Sequence, residues 1–384
     1  MRRAVRWLIS LCLALCLGLF AHTAAMDETT NEAEEQQFLL EQQLDSLQLE
    51  QYDQYLQGET ARLLGERDAS HLLRDILSGQ LFSEQDGESA WAVVWESLTG
   101  NARSLLQVMA VILVSGLLTG LSGSGSGQLQ RMTGTVCSLC CVLLTMGTFA
   151  QLVGQGFASI SQVTTLMRVL VPAMAGVMMW GGKALSAASM PVVVMAMCTI
   201  LNELVRAVFL PAVYGYVALT CAESAFGDDR FKGFADFLKS FVVWGMGLCF
   251  TIFSAILSLQ AASLRIADSA VTRTVKYTVG SFVPFVGKIL SDVSDIVMGC
   301  GSMIGSGMGV FGIVLCVAVC GLPVLRALIF AQAYRLLAAI SQMTGASGLC
   351  RLLQGFSTAF MLVFAISAAS SMLFIIAFAM VAGK

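Results

Sequence analysis

Histidine is nearly missing from this chain: there are two in 384 residues, His22 and His71. A catalytic or metal site built on imidazole is therefore close to excluded. Charge is scarce too, at 12% of residues, against about 25% in ordinary globular domains. Most of the chain is not built to meet water. No cysteine of the twelve lies between residues 26 and 100, and nearly all of the rest fall in apolar runs. That excludes the disulfide framework of a small secreted domain. The Cys137-x-x-Cys140 spacing has no histidine or second pair near it, so it reads as small apolar side chains rather than as a zinc or redox motif. The run Ser122-Gly-Ser-Gly-Ser-Gly127 lacks the lysine of a phosphate-binding loop and reads as a flexible connection. No nucleophile–base pair or zinc signature stands out. The chain reads as non-enzymatic, with no cofactor.

What is present is unevenly distributed. Residues 26–100 hold 17 Asp and Glu against Arg62, Arg67 and Arg74, whereas 103–384 hold 16 basic against eight acidic residues. An acidic head and a basic apolar body belong to different environments, and such a head argues against a nucleic-acid partner. Arg2, Arg3 and Arg6 followed by the apolar stretch Trp7–Phe20 make a signal sequence over 1–25. Thr23-Ala24-Ala25 offers small residues for cleavage before Met26, with an uncleaved anchor as the alternative. Residues 26–100 then form a small helical extracytoplasmic head. Leu40, Leu44 and Leu47 recur at helical spacing, and Leu72, Leu73, Ile76 and Leu77 form a second apolar face.

Residues 101–384 read as a multi-span membrane domain. The fold class expected is an all-α polytopic membrane protein with about six to eight transmembrane helices. Candidate spans are 104–121, 134–153, a short helix 169–180, 187–221, 241–259, 296–322 and 356–381. The 35 residues of 187–221 would extend about 50 Å, too long for one upright crossing of a ~30 Å core. They form either a hairpin turning at Asn202-Glu203 or one helix broken near Pro211. Phe226–Leu238 reads as an interfacial amphipathic helix. Pro172, Pro211 and Pro323 are candidate helix breaks. Pro172 and Pro284 lie 112 residues apart, as do Pro211 and Pro323. This spacing raises an internal repeat, 128–223 and 240–335, which loop charge would make inverted. The competing reading is that proline marks helix ends independently.

Glu203 and Arg206 are three residues apart in an apolar stretch, so they share a helix face. Ionisable residues inside a membrane are costly and usually functional. The plainer alternative is a solvated hairpin tip. Asp292 and Asp295, with Lys288 one turn earlier, could relay protons or hold a cation, or simply form a polar helix face. Arg273 and Lys276 could meet lipid headgroups.

The stretch Asp268–Lys288 contains Thr272-Arg273-Thr274-Val275-Lys276 and Phe282-Val283-Pro284-Phe285-Val286-Gly287-Lys288, and Asp292 and Asp295 follow it. This block resembles the stage III sporulation protein AE family of endospore-forming bacteria. The order of signal, acidic head with Leu44–Tyr52, and glycine-rich body is similar as well. The resemblance implies a subunit of the mother-cell membrane around the forespore, with its head outside the cytoplasm. It implies partners among other stage III sporulation membrane proteins, a separate ATPase, and a permease-like part in a channel needed for late forespore development. It also draws attention to Arg273, Lys276, Pro284, Gly287, Lys288, Asp292 and Asp295. Two other roles remain open on the residues alone: a stand-alone secondary transporter with Glu203, Arg206, Asp292 and Asp295 in an ion path, and a structural scaffold in the bilayer.

Overall fold

Where water is absent, a backbone segment must close its own hydrogen bonds, and a helix does so unaided. The computed structural model describes residues 71–73, 76, 102–121, 127–226, 231–282, 287–343 and 347–382; side chains at 119–133 and 275–303, among others, lie outside that description. The helices are α1 Ala102–Leu121, α2 Gly127–Trp180, α3 Ala184–Leu204, α4 Leu210–Phe226, α5 Lys232–Phe282, α6 Gly287–Met343 and α7 Ser347–Ala382, with a π-helical turn Val205–Phe209 joining α3 to α4. No strand occurs among the described residues. The expected signal sequence over 1–25 and nearly all of the expected head over 26–100 lie outside them. Of the expected second apolar face, Leu72, Leu73 and Ile76 are buried.

Among the described residues, five helices are long and apolar enough to cross a membrane: Gly134–Met179, Ala184–Ser224, Lys232–Val271, Ile304–Met343 and Gly348–Val381. Arg103–Leu118 is a shorter apolar helix. The shortest of the five has 34 residues, about 51 Å, against a ~30 Å core. Each crossing therefore carries helix beyond the bilayer. Several polar side chains in these helices are satisfied locally. Ser159, Thr164, Thr199, Thr220 and Thr251 each donate to a carbonyl four residues back, so they demand no external partner.

Two boundaries differ from the expectation. The spans 134–153 and 169–180 belong to one helix, α2, which runs through Pro172. The hairpin at Asn202-Glu203 is absent, since Ala184–Phe226 is one continuous rod. Helix also continues through Pro191 and Pro323, so Pro172 and Pro323 break nothing. Each merely removes one N–H from the ladder. Pro211 is different. Its ring crowds the carbonyl of Ala207, and here the ladder widens: Leu210 N–H donates to Val205 O, five residues back. A π turn absorbs the misfit without ending the helix.

The centre of the body is α7, which contacts α2, α3, α4, α5 and α6. Phe356 and Phe360 of α7 meet Phe149 of α2 and Tyr334 of α6, with Tyr334 and Phe360 ring centroids 5.0 Å apart. Close approach depends on glycine at several described positions, two of them packed at α7. A Cβ at Gly355 would collide with the Thr220 side chain of α4, and one at Gly312 would lie 2.5 Å from the Phe378 ring.

Candidate functional site

Among the described residues of the apolar body, two polar features stand out. The first is at the junction of α2 and α3. Gly182 adopts φ 74; Gly182 N–H donates to Met179 O and Lys183 N–H to Met178 O. This pair of bonds closes α2 in a Schellman motif, for which glycine is suited because it lacks the Cβ that opposes a left-handed conformation. Lys183 then opens α3 and offers no side-chain acceptor to the free N–H groups of the new helix. The acceptor is Asp268, far along the chain on α5. Its Oδ1 accepts from Leu185 N–H at 2.9 Å and Ser186 N–H at 3.3 Å, and its Oδ2 from the Ser186 hydroxyl. Asp268 is buried. A carboxylate at a helix N-terminus is favoured by both hydrogen bonding and the helix dipole. One side chain thus ties α5 to α3.

The second feature is a polar layer at mid-height. The α5 helix runs antiparallel beside the α3–α4 rod: Asp268 meets Leu185, Gly245 faces Phe209, and Leu238 faces Gly215. From 268 to 245 is 23 residues on α5, matched by 24 from 185 to 209 on the rod. Glu203 precedes Phe209 by six residues and is therefore level with residue 251 of α5. Between Lys239 and Arg265, α5 carries no charge over 25 residues, about 37 Å at 1.5 Å per residue. Residue 251 lies at the middle of that stretch. Glu203 and Arg206 are nonetheless exposed on the outside of the body. A charge at the centre of a lipid-facing helix costs about 2.5–3.5 kcal/mol on the insertion scale.

Nearly level with them, inside the bundle, Arg326 of α6 is buried, and its Nη1 donates to Gln155 Oε1 of α2 at 3.1 Å. Gly156, the next residue, packs against Ser367 of α7, the middle of the charge-free stretch 352–383. Ser159 and Ser367 are buried with it, and Ser371 donates to Ser367 O. A buried guanidinium is costly unless it is hydrogen-bonded, and Gln155 supplies such a bond.

Of the residues expected from sequence, Glu203 and Arg206 lie in this layer on its outer side. Arg273 is exposed on α5. Lys276 is on α5, and Gly287, Lys288, Asp292 and Asp295 open α6; the side chains of these last residues lie outside the described ones, as does Pro284 altogether. Asp268, Gln155 and Arg326 were missed as site residues. Each had a signal. Arg326 is a lone charge between Asp295 and Arg335, and Gly181-Gly182-Lys183 announces a helix start that lacks its own cap.

The chain is 21% identical over 377 residues to stage III sporulation protein AE of Bacillus subtilis (strain 168), covering 96% of this chain and 94% of that protein. No solved structure matches. The family described as stage III sporulation protein AE matches over residues 68–384, which includes every helix of the body. On that match the chain belongs to the stage III sporulation protein AE family.

Proposed function

We propose that this chain is the multi-span, permease-like subunit of a channel complex joining mother cell and forespore, needed for late forespore development. The observation that carries the reading is the extent of the family match: it spans the whole membrane body, 68–384, rather than one motif. The protein sits in the mother-cell membrane around the forespore, multi-pass, with its acidic head outside the cytoplasm. Its partners are other stage III sporulation membrane proteins. The chain carries no phosphate-binding loop in its glycine-rich runs, so energy comes from a separate ATPase subunit. The body supplies helices that can repack: close glycine contacts at Gly312 and Gly355 and a π turn at Val205–Phe209.

Deletion from the native host tests the reading. The expected result is arrest after engulfment with loss of late forespore gene expression, and recovery of other stage III proteins with a tagged, functional copy. Normal spore yield in the deletion would refute it. Solute uptake by the purified chain alone in liposomes would favour the stand-alone transporter instead.

A further inference from the structure

We propose that the outer face of the α3–α4 rod carrying Glu203 and Arg206 is buried in the membrane against a second copy of this chain, the two charges pairing reciprocally across a twofold axis normal to the bilayer. This inference does not rest on the channel reading, since it concerns only how copies of the chain meet.

Three observations converge on it. The first is depth. Contacts of α5 with the rod place Glu203 level with residue 251, mid-way along the charge-free stretch of α5. Hydrocarbon cannot solvate two charges there. The second is exposure. Glu203, Arg206 and Ala207 are open on the outside of the body, and so are Val192, Ala196 and Ile200 above them. Residues 196, 200, 203 and 207 repeat at helical spacing and form one face. Two of the four are alanine, which lets a neighbouring helix approach closely.

The third observation is the pattern of charge. A path for one kind of ion would be expected to show one sign. Here the signs are opposite and three residues apart, about 4.5 Å in height along a helix. A twofold axis along the bilayer normal keeps each residue at the same depth in both copies. Glu203 of one copy then lies within reach of Arg206 of the other, and the converse pair forms at the same time. Such a contact is isologous and closed. It neutralises all four charges without another protein.

Two differently tagged full-length copies, co-expressed and solubilised in mild detergent, test the pairing. Native copies are expected to co-purify. Glu203→Arg in both copies should lower recovery of the second tag at least tenfold, and Arg206→Glu in both should do the same. The decisive mixture combines Glu203→Arg in one copy with Arg206→Glu in the other. Each variant then meets its complement, and co-purification should return, which also shows that both variants fold. Unchanged co-purification of the single variants, or no recovery in the mixture, overturns the proposal. An independent readout leaves the charges intact: a benzophenone side chain at Ile200 in native membranes. A photoproduct carrying both tags at twice the chain mass is expected. Crosslinks to lipid alone, or only to a different protein, overturn it.

Discussion

α5 and α7 are built from similar material and are used in opposite ways. Each holds a long stretch without charge, 240–264 and 352–383. α7 is enclosed by five other helices, and Phe356, Phe360, Phe374 and Phe378 are fully buried. α5 turns a stripe outward instead: Phe234, Phe237, Phe241, Trp244, Leu248, Ile252, Ile256 and Leu259, with Trp244 67% and Leu259 69% exposed. Both have a window apolar enough to cross a membrane, so that property does not separate them. The placement of small and hydroxyl residues does. α7 presents Gly355 to Thr220, Ser367 to Gly156, and Ser357, whose hydroxyl donates to Ala331 O of α6. In a bilayer, apolar side chains gain nothing by leaving lipid, so contact surfaces are chosen by close fit and interhelical hydrogen bonds. Large apolar residues without such neighbours stay outside.

The largest test of this contrast is at glycine. Gly355→Leu places its side chain on Thr220 and forces α7 from α4. Overpacking typically costs about 1–3 kcal/mol and sometimes more. Because Gly355 has no free volume, the upper end or outright loss of folded protein is expected on thermal melting in detergent. Gly247 of α5 has open space around its Cβ position, and Gly247→Leu should change stability by no more than about 0.5 kcal/mol. Equal damage at both sites would erase the distinction between the helices.

Next in size is the cap that joins α5 to α3. Asp268→Ala strands the buried Ser186 N–H and hydroxyl and the half-buried Leu185 N–H, and a loss of about 2–4 kcal/mol is expected. Asp268→Asn keeps the oxygen facing the backbone, so roughly half of that should return. Smaller again is the buried guanidinium. Arg326→Met leaves the Gln155 amide oxygen without that donor, worth about 1–3 kcal/mol. Adding Gln155→Leu to Arg326→Met should restore part of the loss, because removing both partners costs less than removing one.

Much of the body was legible in sequence, and the reasons are physical. Scarce charge and long apolar runs dictate helices in a bilayer, and the helices are there. The block 268–295 carried the family resemblance, and the family is right. Helix ends read less well. Pro172 and Pro323 were expected to interrupt, but an apolar helix in a packed bundle tolerates a missing N–H better than it tolerates a turn with several free ones. Asn202-Glu203 looked like a hairpin tip because charge usually marks the surface; depth becomes visible only once α5 is laid beside the rod. Asp268 and Arg326 escaped for another reason. Their partners, Ser186 and Gln155, lie 82 and 171 residues away, and no local pattern encodes contacts across such distances.

The smallest effects expected are on the outer stripe of α5, and they sharpen the comparison most. Ile252→Ala and Leu259→Ala remove side chains that touch little of the folded chain. In detergent, stability should move by less than about 0.5 kcal/mol. On α7, Phe360→Ala empties a site packed against Phe149, Phe330 and Tyr334, and about 3–5 kcal/mol should be lost. These side chains all lie in long charge-free stretches, so insertion into the bilayer alone would not separate them. Packing predicts a gap of several kcal/mol. Should Leu259→Ala in native membranes cost as much as Phe360→Ala, while costing nothing in detergent, then the stripe is covered by protein in the cell. α5 would then be an interface between subunits rather than the lipid boundary of the body.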